Sequence, residues 1–342
     1  MINRSAATAL CGAIVCLALA TLMPAPGAQA EDAADMLRYR GADREQKLIE
    51  GAKKEGQVVI YSAMIVNQAL RPLADSFGKK YPFLKLIYWR ADSEDIMQKI
   101  SAEVRATNVV ADIVEGTGVS ELAAQAGLVQ PFVTPALAAY PEAYRDPQGL
   151  WVPTRLSYFS IAYNTRLAPA NVAPKSYADL LDPRWKGKMA WRIGSASGTD
   201  LFLTNLRLAW GEDKAESYFE KLREQKIVNF GAGSARTLVD RVVAGEYAIA
   251  LNIFAHHPLI SKGKGAHHPH AAMLLMDFIL SKEGQQILAG AEYYPADPNV
   301  PPSPKLASVV PKIAGVPENF VGPDTLLRYT DSSEEIYQRL FR

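Results

Sequence analysis

Beyond its first thirty residues this chain has no cysteine: Cys11 and Cys16 both lie before that point. The rest of the chain therefore has no disulfide, no thiolate nucleophile and no Cys-held metal. Histidine is equally scarce. All five, His256, His257, His267, His268 and His270, fall in one short stretch, and metalloprotease spacing is absent from it. No apolar run after residue 30 is long enough to span a bilayer. Neither sign of charge dominates. Lys and Arg number 37 and Asp and Glu 36; with Arg4 set aside in the leader, 36 of each remain. That balance gives no basic surface for a nucleic acid.

What is present begins with an export signal. Arg4 supplies the positive end, "AATALCGAIVCLALATLM" the apolar stretch, and Ala28-Gln29-Ala30 a small-x-small cleavage site. Pro24 and Pro26 interrupt the apolar run, which argues against a retained anchor. The expectation is a soluble exported chain starting near Glu31. Without disulfides it must be stabilised by its core alone, and roughly 310 residues are enough for two domains.

Strand and helix patterns then alternate. "QVVIYSA" reads as a buried strand, "NQALRPLADSFGKKY" as an amphipathic helix with Leu70, Leu73 and Phe77 on one face, and "FLKLIYWRA" as a second strand. "DSEDIMQKISAEVRA" is a helix capped by Asp92 or Ser93, "ADIVEG" a third strand, and "GVSELAAQAGLV" a third helix stopped at Gly127. This βαβαβα order predicts a parallel sheet covered on both faces. A Pro- and aromatic-rich connector follows, then a second α/β unit over about 160–255. "HAAMLLMDFILSKEGQQILAG" reads as one or two helices hinged at Ser281. "SSEEIYQRLF" reads as a short final helix with Ser332 and Glu335 in capping-box spacing.

In open α/β sheets, ligands bind beyond the carboxyl ends of the strands. Those ends carry Ser62 after the first strand and Glu115 and Thr117 after the third. In the second unit they carry Ser195, Ser197 and Thr199, then Gly233 and Ser234, and finally Asn252. The loops are small, hydroxyl-bearing and glycine-rich, and most lead into helices whose free N–H groups favour an anion. Capping explains any one of them; their recurrence in both units points to a shared cleft. Arg155, Tyr158 and Arg192 are further candidates for charge or stacking near the crossing strands. Enzyme motifs fail when checked. Gly194-Ser195-Ala196-Ser197-Gly198 has Ala196 where a nucleophile elbow needs serine. Gly231-Ala232-Gly233 has Arg236 where a dinucleotide loop needs glycine.

Several stretches resemble the extracellular solute-binding proteins of ABC importers, in the branch that includes ferric-ion-binding proteins. They are "EGQVVIYSA", "ADIVEGTG", "YADLLDPRWKGKMAW", "LVDRVVAGEYAIALN", "HPHAAMLLMDFILSKEGQQILA" and "YYPADPNV", in family order over most of 55–300. The resemblance implies a type II periplasmic-binding fold of two α/β lobes, each a sheet flanked by helices, with solute held in the cleft between them. It implies closure about a hinge, delivery to membrane permease subunits, a periplasmic monomer and no catalysis or cofactor. The expected boundaries are 1–30 for the signal, 31–160 for the first lobe, 161–265 for the second, and 266–342 for helices and a tail returning to the first lobe and hinge.

Two departures stand out. Iron-binding relatives place a tyrosine pair after the last strand of the second lobe, but here the stretch is Asn252-Ile253-Phe254-Ala255-His256-His257. "YSAMIVNQ" also lacks their first-lobe histidine. An organic, anionic solute is therefore favoured over ferric iron. A metal site built from His256, His257, His267, His268 and His270 is the alternative. Second, "ISKGKGA" runs directly into "HHPHAAM", where relatives carry a longer, strand-containing connector. Either the return crossing is very economical, or the first sheet lacks a strand and has an unpaired edge.

Overall fold

The computed structural model describes residues 35–156, 158, 160–193, 198–231, 235–253, 258–262, 267–306, 310 and 321–342. After helix α1 (Arg44–Glu55), the first sheet is built from β1 (Gln57–Ser62), β2 (Lys85–Arg90), β3 (Ile113–Thr117), β4 (Val152–Pro153) and β10 (Pro258–Lys262), in the order β2-β1-β3-β10-β4. Strands β1, β2 and β3 are parallel, and β10 runs antiparallel between β3 and β4. The β1 run is apolar on both faces because both faces are covered. Val58 and Ile60 join Leu70, Leu73 and Phe77 on one side, with α2 (Arg71–Lys80) and α8 (Pro269–Leu280). Val59 and Tyr61 join Ile96, Ile100, Val119 and Ala123 on the other, with α3 (Ser93–Arg105) and α4 (Val119–Gln125).

The second sheet has the order β6-β9-β7-β8, from β6 (Ser160–Tyr163), β7 (Met189–Trp191), β8 (Val228–Asn229) and β9 (Ile249–Ile253). Trp191, fully buried, anchors one face against Phe202 of α5 (Thr199–Trp210) and Phe341. Phe219 of α6 (Glu212–Arg223) belongs to the same core. The other face packs Ala190, Ala250 and Ile253 against Leu238 and Val242 of α7 (Ala235–Ala244). A two-stranded ribbon of β5 (Arg155–Leu156) and β11 (Tyr294–Pro295) accompanies the two sheets.

The economical crossing is the one observed. Positions 254–257 alone separate β9 of the second sheet from β10 of the first, and β10 fills the slot between β3 and β4. Residues 258–262 thus pair within the first sheet, although the expected boundary put them in the second lobe. The expected unpaired interior edge does not exist, because backbone N–H and C=O groups on both sides of β10 find ladder partners.

Ser281 separates two helices and caps the second, α9 (Lys282–Gly290): its Oγ accepts from Gly284 N at 3.3 Å. The final helix α10 spans Pro323–Leu340, far longer than a start at Ser332 allows. Ser332 lies inside it, donating to the Tyr329 carbonyl at 3.1 Å and accepting from Arg207 at 2.9 Å. The start of α10, at Asp324, comes near Glu121 and Asp146 of the first lobe, but its body lies against the second. Tyr337 and Leu340 are buried in the second-sheet core, and Thr204 and Ser333 hydroxyls meet at 2.9 Å. The apolar stripe of α10 matches that of α5, and burial decides its partner.

Candidate functional site

Glycine lets three strand-end segments of the first sheet converge. A Cβ built on Gly116 would lie 2.8 Å from Val119 Cγ2, 2.9 Å from Ser93 Oγ and 3.5 Å from Ala63 Cβ. The ends of β1 and β3 and the start of α3 therefore meet around Gly116, as the carboxyl-end rule predicts.

Ser62 and Glu115 reach that place but face inward. Both are fully buried. Glu115 Oε2 accepts from Ser62 Oγ at 2.6 Å and Ala63 N at 3.2 Å. Its Oε1 accepts from Arg155 Nη1 at 2.6 Å and Thr154 Oγ1 at 3.4 Å. Four donors saturate the carboxylate, so it has no oxygen left for a solute. Arg155 is also buried, and its guanidinium stacks over the Tyr293 ring with the centroid 4.4 Å away. The Tyr293 hydroxyl accepts from Ile65 N at 3.2 Å. Sequence reasoning offered Ser62, Glu115 and Arg155 as solute contacts. The structure makes them a network that ties β1, β3 and the β5–β11 ribbon together. Tyr158 packs edge-on against Tyr294, centroids 5.3 Å apart, and belongs to the same ribbon region.

The remaining described candidates keep polar character at the strand ends. Arg192, just beyond β7, is 8 % exposed. Burial lowers the pKa of its guanidinium, while Glu94 and Asp92 at the start of α3 support the charge. A cation of the second sheet layer thus faces acids of the first. Thr199 opens α5 and is fully buried. Among the described residues Thr117 Oγ1, at the end of β3, is buried and has no hydrogen-bond partner. Beside it are two residues that sequence reasoning passed over, Ser120 and Glu121, whose Oγ and Oε2 are also buried without a partner. An acid in a helix's first turn is so common that Glu121 gave no signal of its own.

Ser195, Ser197, Gly233, Ser234, His256 and His257 lie outside the described residues. Asn252 is on β9, with its side chain outside the described set.

The second histidine cluster sits at the opposite end of the sheet. His268 Nδ1 is 2.8 Å from Asp112 Oδ2, and Asp112 also accepts from His268 N at 3.0 Å and Val59 N at 2.7 Å. His270 Nδ1 is 2.7 Å from Glu55 Oε1, and Glu55 accepts from Ala271 N at 2.8 Å. Two carboxylates therefore cap α8, and each holds one imidazole. His268 is committed to this joint, while His267 is exposed. Among the described residues no group of three or more His, Cys, Asp or Glu could hold a metal ion. A shallow groove lined by Trp89, Asp95, Lys99 and Arg105 shares no residue with the strand-end set.

Two sheets flanked by helices, joined by crossing strands, with polar strand ends in both, define a type II periplasmic-binding fold. Residues 109–258 match the family model of the bacterial extracellular solute-binding proteins, so the resemblance carried by the motifs is borne out. Similar proteins include the iron uptake protein A2 of Synechocystis sp., 28% identical over 284 residues, 69% of this chain and 77% of that one. A putative 2-aminoethylphosphonate-binding periplasmic protein of Salmonella typhi is 26% identical over 219 residues, 56% of this chain and 63% of that one. The periplasmic binding protein AfuA from Actinobacillus pleuropneumoniae, solved with fructose-6-phosphate bound, shares the fold. Its TM-score is 0.66 at 22% identity, over 83% of this chain and 97% of AfuA. The family model that matches is one of solute-binding proteins, and the fold is shared with periplasmic binding proteins. Among the described residues no helix is long and apolar enough to cross a membrane.

Proposed function

We propose that this chain is the periplasmic solute-capturing component of an ABC importer, exported by its leader, monomeric, and acting by binding and delivery rather than catalysis. The observation that carries the reading is Arg192. This buried cation of the second sheet layer lies beside the α3 start of the first, where strand ends from both layers present hydroxyls. An anionic group is what such a cation, together with helix-end N–H groups, would recognise. Ile253 and Phe254 stand where iron-binding relatives place tyrosines, which supports an organic solute over ferric iron. Relatives described as binding a phosphonate and a sugar phosphate fit an organic anion.

A thermal-shift screen of residues 31–342 tests the reading, with small organic phosphates, phosphonates, carboxylates, amines, Fe(III) and Zn(II). A solute present at one hundred times its Kd adds about 2.7 kcal/mol of stability. That is a rise of roughly 5–10 °C for a cooperative unit of this size. If no solute in the screen raises Tm, the capture reading fails.

A further inference from the structure

The turn that leaves β3 holds three buried polar atoms with no partner among the described residues: Thr117 Oγ1, Ser120 Oγ and Glu121 Oε2. Their residues are 9%, 0% and 5% exposed. Native proteins satisfy such groups almost without exception, so three within five residues need a reason. Local packing does not supply one. Val119 and Ala123 of the same helix belong to the apolar core beneath, and Ser120 and Glu121, though buried, do not. Nor does a counter-charge. Among the described residues the charged group acting on Glu121 is Asp324 at the start of α10, another carboxylate, and Asp324 also acts on Asp146.

We propose that Glu121, with the Thr117 and Ser120 hydroxyls, forms a subsite for an ammonium group, so that the captured solute is a zwitterion whose anionic end turns toward Arg192. The inference rests on the solute-capture reading above and names the class of solute. An ammonium carries three donors and no acceptor, which complements two hydroxyl oxygens and one carboxylate oxygen. A carboxylate buried without a cation is costly in the empty protein, and a cationic ligand removes that cost.

Burial, assisted by Asp324, pushes the Glu121 carboxyl up to about 8. At neutral pH the empty site therefore holds a proton on Glu121. Seating an ammonium favours the carboxylate, and the proton leaves to the buffer. Binding releases nearly one proton per solute at pH 7, and affinity rises as pH is raised toward the carboxyl's own range.

The test is titration calorimetry of the mature chain at pH 7, in two buffers of different ionisation enthalpy, neither a primary amine. The probes are matched pairs: 2-aminoethylphosphonate with ethylphosphonate, phosphoethanolamine with ethyl phosphate, and β-alanine with propionate. In at least one pair the amine is expected to bind at least about tenfold tighter, as a charged hydrogen bond predicts, with release of a proton. Glu121→Gln is expected to abolish both the preference and the proton release while leaving the amine-free member unchanged. Equal binding within every pair that binds overturns the ammonium subsite and leaves solute capture standing. Binding by no member of any pair overturns the ammonium subsite, and solute capture then stands or falls by the thermal-shift screen. A second readout is stability: without solute, Glu121→Gln is expected to raise Tm at pH 7. A fall in Tm would make Glu121 a structural group and overturn the proposal.

Discussion

The Glu115–Arg155 pair yields the sharpest prediction. Both side chains are buried, with Nη1 and Oε1 2.6 Å apart. Arg155→Met leaves the Glu115 carboxyl group in the core with only Ser62 Oγ, Ala63 N and Thr154 Oγ1 for support. Glu115→Leu strands a guanidinium whose Nε already lacks a partner, over the Tyr293 ring. Removing one member of a buried pair costs about 3–5 kcal/mol, mostly the desolvation of the charge left behind. At roughly 2–4 °C per kcal/mol, Tm falls by about 6–20 °C in either single variant. The double variant Glu115→Leu/Arg155→Met removes both charges and should recover most of that loss, to within about 1–2 kcal/mol of the parent. Melting curves of the four proteins close the cycle. Additive losses in the double variant would refute the pair as described. If Glu115→Gln abolished solute binding while leaving Tm unchanged, Glu115 would instead be a solute contact.

Other consequences can be checked directly. Burial, then the nearby Glu334, raises the Asp200 carboxyl from 3.8 to about 6, so the folded state holds that proton more tightly. The stability it contributes is fully present below about pH 4 and is lost as pH rises through 6, at most about 3 kcal/mol. Asp200→Asn should therefore raise Tm at pH 7 and change little at pH 4; a fall at pH 7 would contradict the reading. Asp112→Ala removes two contacts to His268 at the α8 start and one from Val59 N on β1, and should cost about 2–4 kcal/mol in urea unfolding. An unchanged midpoint would mean that water replaces the carboxylate there. His267→Ala with His268→Gln should leave Zn(II), Ni(II) and Fe(III) titrations unaltered, because the His268 ring already serves Asp112. A loss of metal affinity would restore the histidine site.

The local elements were readable from sequence because their signals are local. The apolar "QVVIYS" run, the Leu73 and Phe77 stripe and the acids of the first turn of α3 are patterns of neighbours, and all three elements appear where those patterns stand. The strand-end rule picked out Thr117, Thr199 and Arg192, and all three are buried at the ends of the two sheets. The roles of Ser62 and Glu115 were not readable. They lie 53 residues apart, and whether a carboxylate faces a cleft or a neighbour depends on which strand lies beside it. The "PLISK" segment reads as linker, since five residues carry no periodicity of their own; it becomes β10 only because β3 and β4 leave a ladder open between them. Glu121 resembles any first-turn acid until burial shows that its Oε2 has no partner among the described residues. Sequence by itself therefore determined much of the element order and the solute-binding class, because these reside in composition, periodicity and motif. The tertiary structure decided the strand order, the seat of the final helix and the division of polar groups into internal ties and open valences, because each depends on contacts between residues far apart in the chain.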